Sequence, residues 1–172
     1  AFSVILPTGL SKSLSFQEID DLSTTFANYL QHHLKLKKGD VVGLQMPNSL
    51  HYPIAVFACW KVGLIITNIN PLYTARELEY QLIDSAAKAL IVSDLFLATF
   101  ERVIQNNPQL QSLALVTASL SEFFDAPYQG MIAEKMQADA ETQGHSLKPS
   151  IDYATFADAL EIGKILELYK IG

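Results

Sequence analysis

The residues of this chain that could do chemistry are few and scattered. None of its eight glycines stands closer than four positions to the next, so no G-x-G-x-x-G phosphate loop exists. Gly163-Lys164 is the one Gly-Lys pair. Asp158 stands where a Walker loop needs its first glycine, and Ile165 where it needs Ser or Thr. A glycine closing a helix explains the pair better. His32 and His33 are adjacent, so a helix points them to different sides and they cannot chelate one ion. His51 and His145 are isolated. Cys59 lies in an apolar helical stretch and reads as a small buried hydrophobe rather than a nucleophile. The acid pairs Asp20/Asp21 and Glu77/Glu79 fall in first helical turns or on helix surfaces, where acids complement the macrodipole. No catalytic, cofactor-binding or metal-ligating residue is assigned.

A ligand site in an open α/β sheet lies beyond the carboxyl ends of the strands. Those ends read Pro47-Asn48-Ser49, Asn68-Ile69-Asn70-Pro71, Ser93-Asp94 and Thr117-Ala118-Ser119. Turn chemistry accounts for them before ligand contact does: Asn and Ser as caps, Pro as a break.

The strands themselves are four short apolar runs, residues 41–46, 64–68, 88–92 and 112–117, with starts 23, 24 and 24 residues apart. Each is too short for a helix and rich in β-branched residues or Leu, as a strand buried on both faces should be. A strand, a helix and two turns need about this spacing. The pattern predicts consecutive βα units and, through right-handed crossovers, an α/β fold: an open, mostly parallel sheet with helices on both faces.

Local signals place the helices. Ser15-Phe16-Gln17-Glu18 and Thr74-Ala75-Arg76-Glu77 are capping boxes, with Leu14/Ile19 and Tyr73/Leu78 as hydrophobic staples. The first helix carries Ile19, Leu22, Phe26 and Leu30 as its apolar stripe, with Lys35, Lys37 and Lys38 near its end and Gly39 as a stop. A second covers about 50–62, with Ser49 as cap, Pro53 in the first turn and Gly63 at the end. The third turns Leu78, Leu82 and Ile83 inward. The fourth covers about 95–106, with Phe96, Phe100, Val103 and Ile104 as its stripe, and stops before Pro108. Thr155 caps a short last helix over 156–162, closed by Gly163. The expected organisation is a βα-repeat subdomain over 1–120, an irregular connection over 121–150 with helix around 131–140, and a short helix and outgoing link over 151–172.

Composition narrows the class. A chain of 172 residues that is 49% hydrophobic and 17% charged is globular rather than disordered. A net charge of −6 argues against a nucleic-acid surface. One cysteine excludes an internal disulfide and points to a reducing cytosol. The longest uncharged run, 41–60, holds Pro47 and Pro53 and does not read as a membrane span. No signal peptide is visible, and the opening Ala-Phe-Ser-Val without Met reads as processing or a cut from longer chain.

The joined motifs have a likeness. Lys37-Lys38-Gly39-Asp40-Val41-Val42-Gly43-Leu44-Gln45-Met46-Pro47-Asn48-Ser49 resembles the adenylate-forming superfamily of acyl-CoA synthetases, luciferases and adenylation domains. Lys61-Val62-Gly63, Asn70-Pro71-Leu72-Tyr73-Thr74-Ala75-Arg76-Glu77-Leu78 and Asp84-Ser85-Ala86-Ala87-Lys88 are similar to bacterial long-chain fatty acid–CoA ligases in particular. The likeness covers about residues 1–117 closely and 152–172 more loosely.

The resemblance implies a parent ligase that uses ATP and Mg²⁺ to convert a fatty acid to an acyl-adenylate. The coenzyme A thiol then displaces AMP. It also implies that the phosphate loop, the acidic magnesium helper and the C-terminal lysine of such enzymes lie outside this sequence. The chain is then the N-terminal portion of a longer ligase, mainly scaffold and inactive alone, with the remainder of the parent as its partner and the fatty acid bound through that parent. Apolar surface left uncovered would favour self-association. The expected location is the cytoplasm, with the parent peripheral at the inner membrane face. Two other readings stay open at this level: a free-standing flavodoxin-like or receiver-like binding domain, for which only Asp94 is suggestive, and a structural interaction module.

Overall fold

The computed structural model describes residues 1–166. From residue 167 onward the expected outgoing link lies outside the described residues. β1 (Phe2–Ile5) and β2 (Ser11–Leu14) form an antiparallel hairpin. β3 (Val41–Gln45), β4 (Ile65–Asn68), β5 (Ala89–Ser93), β6 (Ala114–Ala118) and β7 (Ala154–Thr155) form a parallel sheet in the order β4-β3-β5-β6-β7. One face is covered by α1 (Phe16–Asn28), α2 (His51–Val62) and α6 (Phe156–Ile165), the other by α3 (Ala75–Asp84) and α4 (Leu97–Asn106). The expected open α/β sheet with helices on both faces is what forms.

The four βα-spaced runs become β3 to β6; β3, β5 and β6 find apolar cover on both sides, whereas β4, at the edge of the sheet, is only half-buried and leaves Ile65 54% exposed. Val42 and Leu44 face the first helical layer, and Gly43 faces the second. A side chain at Gly43 would stand 2.9 Å from Ile69 Cδ1 and 3.1 Å from Leu90 Cδ1. Glycine therefore lets the second layer close on the sheet. Both capping boxes form as read: the Ser15 and Thr74 hydroxyls accept the N–H of Glu18 and Glu77, and each Glu reaches back to its cap. A third, between Thr155 and Asp158, starts α6. Gly63 (φ +72°) ends α2 in the left-handed region, where glycine pays no Cβ penalty.

Several local expectations are corrected. Ser49 does not cap α2; Leu50 holds the cap position without a side-chain bond, and the Ser49 carbonyl accepts the Tyr52 N–H at 3.3 Å. The first helix does not run on to Gly39. It widens into a π-helical turn over Tyr29–His33, where the two rings stack 4.9 Å apart, and leaves through Lys35 at φ +59°. Ile83 is 53% exposed rather than inward, because Leu78 and Leu82 already fill the face α3 turns to the sheet. The helix near 131–140 is longer, α5 (Tyr128–Thr142), and only its Ala140 is buried. Gly163 does not close α6, which runs two residues further. It sits inside the helix, where a Cβ would meet the Thr25 carbonyl oxygen of α1 at 2.1 Å.

Candidate functional site

The crossovers of this sheet change direction between β3 and β5. β3 leads to α2 on one face, and β5 leads to α4 on the other. The crevice between their carboxyl ends is where a ligand site of an open α/β sheet would be sought. Six of the eight buried polar residues among the described ones lie around that end: Gln45 after β3's apolar core, His51 at the start of α2, Ser93 and Asp94 leaving β5, and Thr117 and Ser121 around the end of β6; the other two, Ser23 and Asn28, lie in α1.

His51 is the residue that isolated sequence reading missed. Its ring is 2% exposed, and Nε2 lies 2.7 Å from Glu122 Oε2. The same carboxylate oxygen accepts the Ser119 N–H at 3.2 Å. Phe123 and Phe156 bring their rings to 4.7 and 4.9 Å from the imidazole, both edge-on. One side chain thus joins the start of α2, the loop after β6 and the start of α6. The sequence offers one weak signal for it, a polar residue opening an otherwise apolar helix, and none for its partner 71 positions away.

Asp94 lies beside this joint. Burial pushes its carboxyl above the usual aspartate range, and the Glu122 charge pushes the same way; hydrogen bonds from Ser119, Ser93 and the Leu95 N–H act against them. Ser93 Oγ donates to Asp94 Oδ1 at 3.2 Å. Across the crevice the Gln45 side chain is fully buried with neither amide atom partnered. The remaining strand-end residues do turn work. Asn70 Oδ1 accepts the Leu72 N–H at 3.0 Å, and Asn68 Oδ1 accepts the Tyr52 hydroxyl at 3.1 Å. Burial pushes the Cys59 thiol up to about 12, which removes it as a nucleophile. His33 stacks on Tyr29 at the opposite, amino end of the sheet.

The donor set does not suit a nucleotide triphosphate with its metal. Such a group needs positive charge and N–H donors held ready at the phosphates. The strand-end segments 45–51, 93–97 and 118–124 contain no Lys or Arg, and their charged members are Asp94 and Glu122. Among the described residues no group of three His, Cys, Asp or Glu could hold a metal ion. No described helix is long and apolar enough to cross a membrane. The arrangement fastens α2, the loop after β6 and α6 to one another.

Comparison with known proteins places this layer. The model of the AMP-binding enzyme family matches residues 3–155. The long-chain-fatty-acid–CoA ligase of Haemophilus influenzae is 50% identical over 97 residues, and that of Salmonella typhimurium 48% over 96. In both cases the match covers 56% of this chain and 17% of the relative. Among solved structures, the A-PCP didomain of carboxylic acid reductase from Segniliparus rugosus, in complex with AMP, superposes with a TM-score of 0.68 at 15% identity, over 98% of this chain and 24% of the other. An anthranilate CoA ligase in complex with anthranoyl-AMP reaches 0.58 at 27% identity, over 72% and 23%.

Proposed function

The chain belongs to the AMP-binding enzyme family, and from that premise we propose that it is the N-terminal portion of an ATP-dependent long-chain fatty acid–CoA ligase. The observation that carries this reading is the 48–50% identity to bacterial long-chain-fatty-acid–CoA ligases of which it matches only 17%. In the parent, ATP and Mg²⁺ activate the carboxylate of a fatty acid as an adenylate, and coenzyme A takes the acyl group as a thioester. This portion contributes a βα layer against which the chain that holds those groups packs. We assign no catalytic residue to it. The parent works in the cytoplasm and meets its acyl substrate at the inner face of the membrane.

What supports a scaffold role is the nature of the strand-end residues. His51, Glu122, Ser93 and Asp94 bond to one another and to backbone, and no cation stands among them to meet a phosphate. The test is fatty-acid-dependent ATP–pyrophosphate exchange by this polypeptide alone, with its fold verified by circular dichroism. No exchange above the enzyme-free blank is expected. Exchange that requires fatty acid would overturn the scaffold assignment.

A further inference from the structure

β6 and β7 lie side by side and parallel, Val116 against Ala154 and Thr117 against Thr155. The chain between them must therefore return from the carboxyl end of the sheet to its amino end. That return carries α5. A helix in such a connection normally buries a full apolar stripe against the sheet. The stripe of α5 is Tyr128, Ile132, Met136 and Ala140, each four residues from the next, so all four share one side. Tyr128 is 46% exposed, Ile132 and Met136 are half-buried, and Ala140 is buried. The helix is seated at its carboxyl end and stands off the body at its amino end.

Little in the helix itself offsets that. α1, α3 and α6 each begin with a capping box, whereas the cap position of α5, Pro127, makes no side-chain bond. Its last turn holds no basic residue, and Asp139 and Glu141 add negative charge where the macrodipole is already negative. Composition favours it, with three alanines among Glu, Lys, Met and Gln, and Gln137 Nε2 donates to Glu141 Oε1 at 2.8 Å. A helix of 15 residues held by propensity alone is marginal in water.

Two latches hold the ends. Before the helix, Lys12 Nζ of β2 meets Asp125 Oδ2 at 2.7 Å. After it, Glu101 of α4 accepts the Ser150 N–H at 2.8 Å and the Ser150 hydroxyl at 2.6 Å. Glu122 stands three residues before Asp125, so the loosely seated end begins beside the His51–Glu122 joint.

We infer that residues 125–150 form a hinged strap. α5 swings out from its seated Ala140 end and opens beside the carboxyl-end crevice while the sheet stays folded. The Lys12–Asp125 and Ser150–Glu101 latches set how often it opens. Segments with few buried apolar contacts open below the free energy of global unfolding, and α5 is such a segment. The inference concerns residues of this chain alone and stands apart from the ligase reading.

Amide hydrogen exchange of the 172-residue polypeptide, followed by mass spectrometry of its peptides, tests it. Amides of α5 are expected to exchange at least about a hundredfold faster than those of β5. Lys12→Met frees the amino end and is expected to speed exchange over 129–136 by about threefold, as befits an exposed ion pair. Glu101→Ala frees the seated end and is expected to speed exchange over 137–145 by about tenfold. β5 is expected to keep its rate in both variants. Amides of α5 as slow as those of β5 overturn the inference. So does an acceleration that β5 shares, which would report global loss of stability, and so does an α5 indifferent to either variant.

Discussion

His51 Nε2 and Glu122 Oε2 meet at 2.7 Å across 71 residues of sequence, and the carboxylate oxygen that receives the ring also receives the Ser119 N–H at 3.2 Å. The pair pins the loop after β6 to α2. Glu122→Ala leaves a buried ring nitrogen and a backbone N–H without a partner, which costs about 1–3 kcal/mol. Urea unfolding is expected to show that loss, and Glu122→Gln, which keeps an acceptor, to recover part of it. A Glu122→Ala midpoint within error of the parent would mean that the contact fastens nothing.

Gly163 decides how closely α6 approaches α1. A methyl group there would stand 2.1 Å from the Thr25 carbonyl oxygen, and the Gly163 carbonyl already accepts from Asn28 Nδ2 at 3.4 Å. Backbone cannot swing aside as a side-chain tip can, so Gly163→Ala must push the two helices apart. The expected destabilisation is about 1–3 kcal/mol, the usual cost of overpacking. Helix propensity alone predicts the opposite sign, since alanine is the better helix former by about 1 kcal/mol. A stabilised Gly163→Ala variant would therefore refute the close crossing.

Asp94 gives stability a pH dependence of known sign. Burial holds its native carboxyl above the ordinary 3.8, so the folded chain keeps a proton that the unfolded chain has released. The contribution is most favourable below 3.8 and is lost as pH rises through the native value. Asp94→Asn cannot lose a proton. The stability difference between the variant and the parent should move in the variant's favour as pH rises from 3 to neutral, measured by urea midpoints at each pH. A difference that is flat across this range would contradict the buried placement of Asp94.

What could be read in advance was whatever is local. A capping box lies within four residues and uses its own backbone, so Ser15 and Thr74 announced α1 and α3. β3, β5 and β6 are buried on both faces and show as apolar runs, while the half-buried edge strand β4 shows by its Ile-Ile pair. The hairpin was illegible for the converse reason: β2 reads Ser-Lys-Ser-Leu and takes its strand character from pairing with β1. Gly163 carried two meanings, a helix stop or a close approach, and only the position of α1 chooses between them. The His51–Glu122 contact needs the whole crossover from α2 to the loop after β6, and no local pattern encodes it. Ile83 failed because apolar spacing on a ten-residue helix does not say how wide the buried face is; at the open edge beside β4 that face ends at Leu82.

A domain exchange tests the central claim most directly. The stretch of a bacterial long-chain fatty acid–CoA ligase that aligns with this chain is replaced by the corresponding residues here, and thioester formation from fatty acid, ATP and coenzyme A is measured. The expected chimera is folded and retains the activity, because what is exchanged is a supporting layer. A folded chimera unable to form the acyl-adenylate would contradict that account.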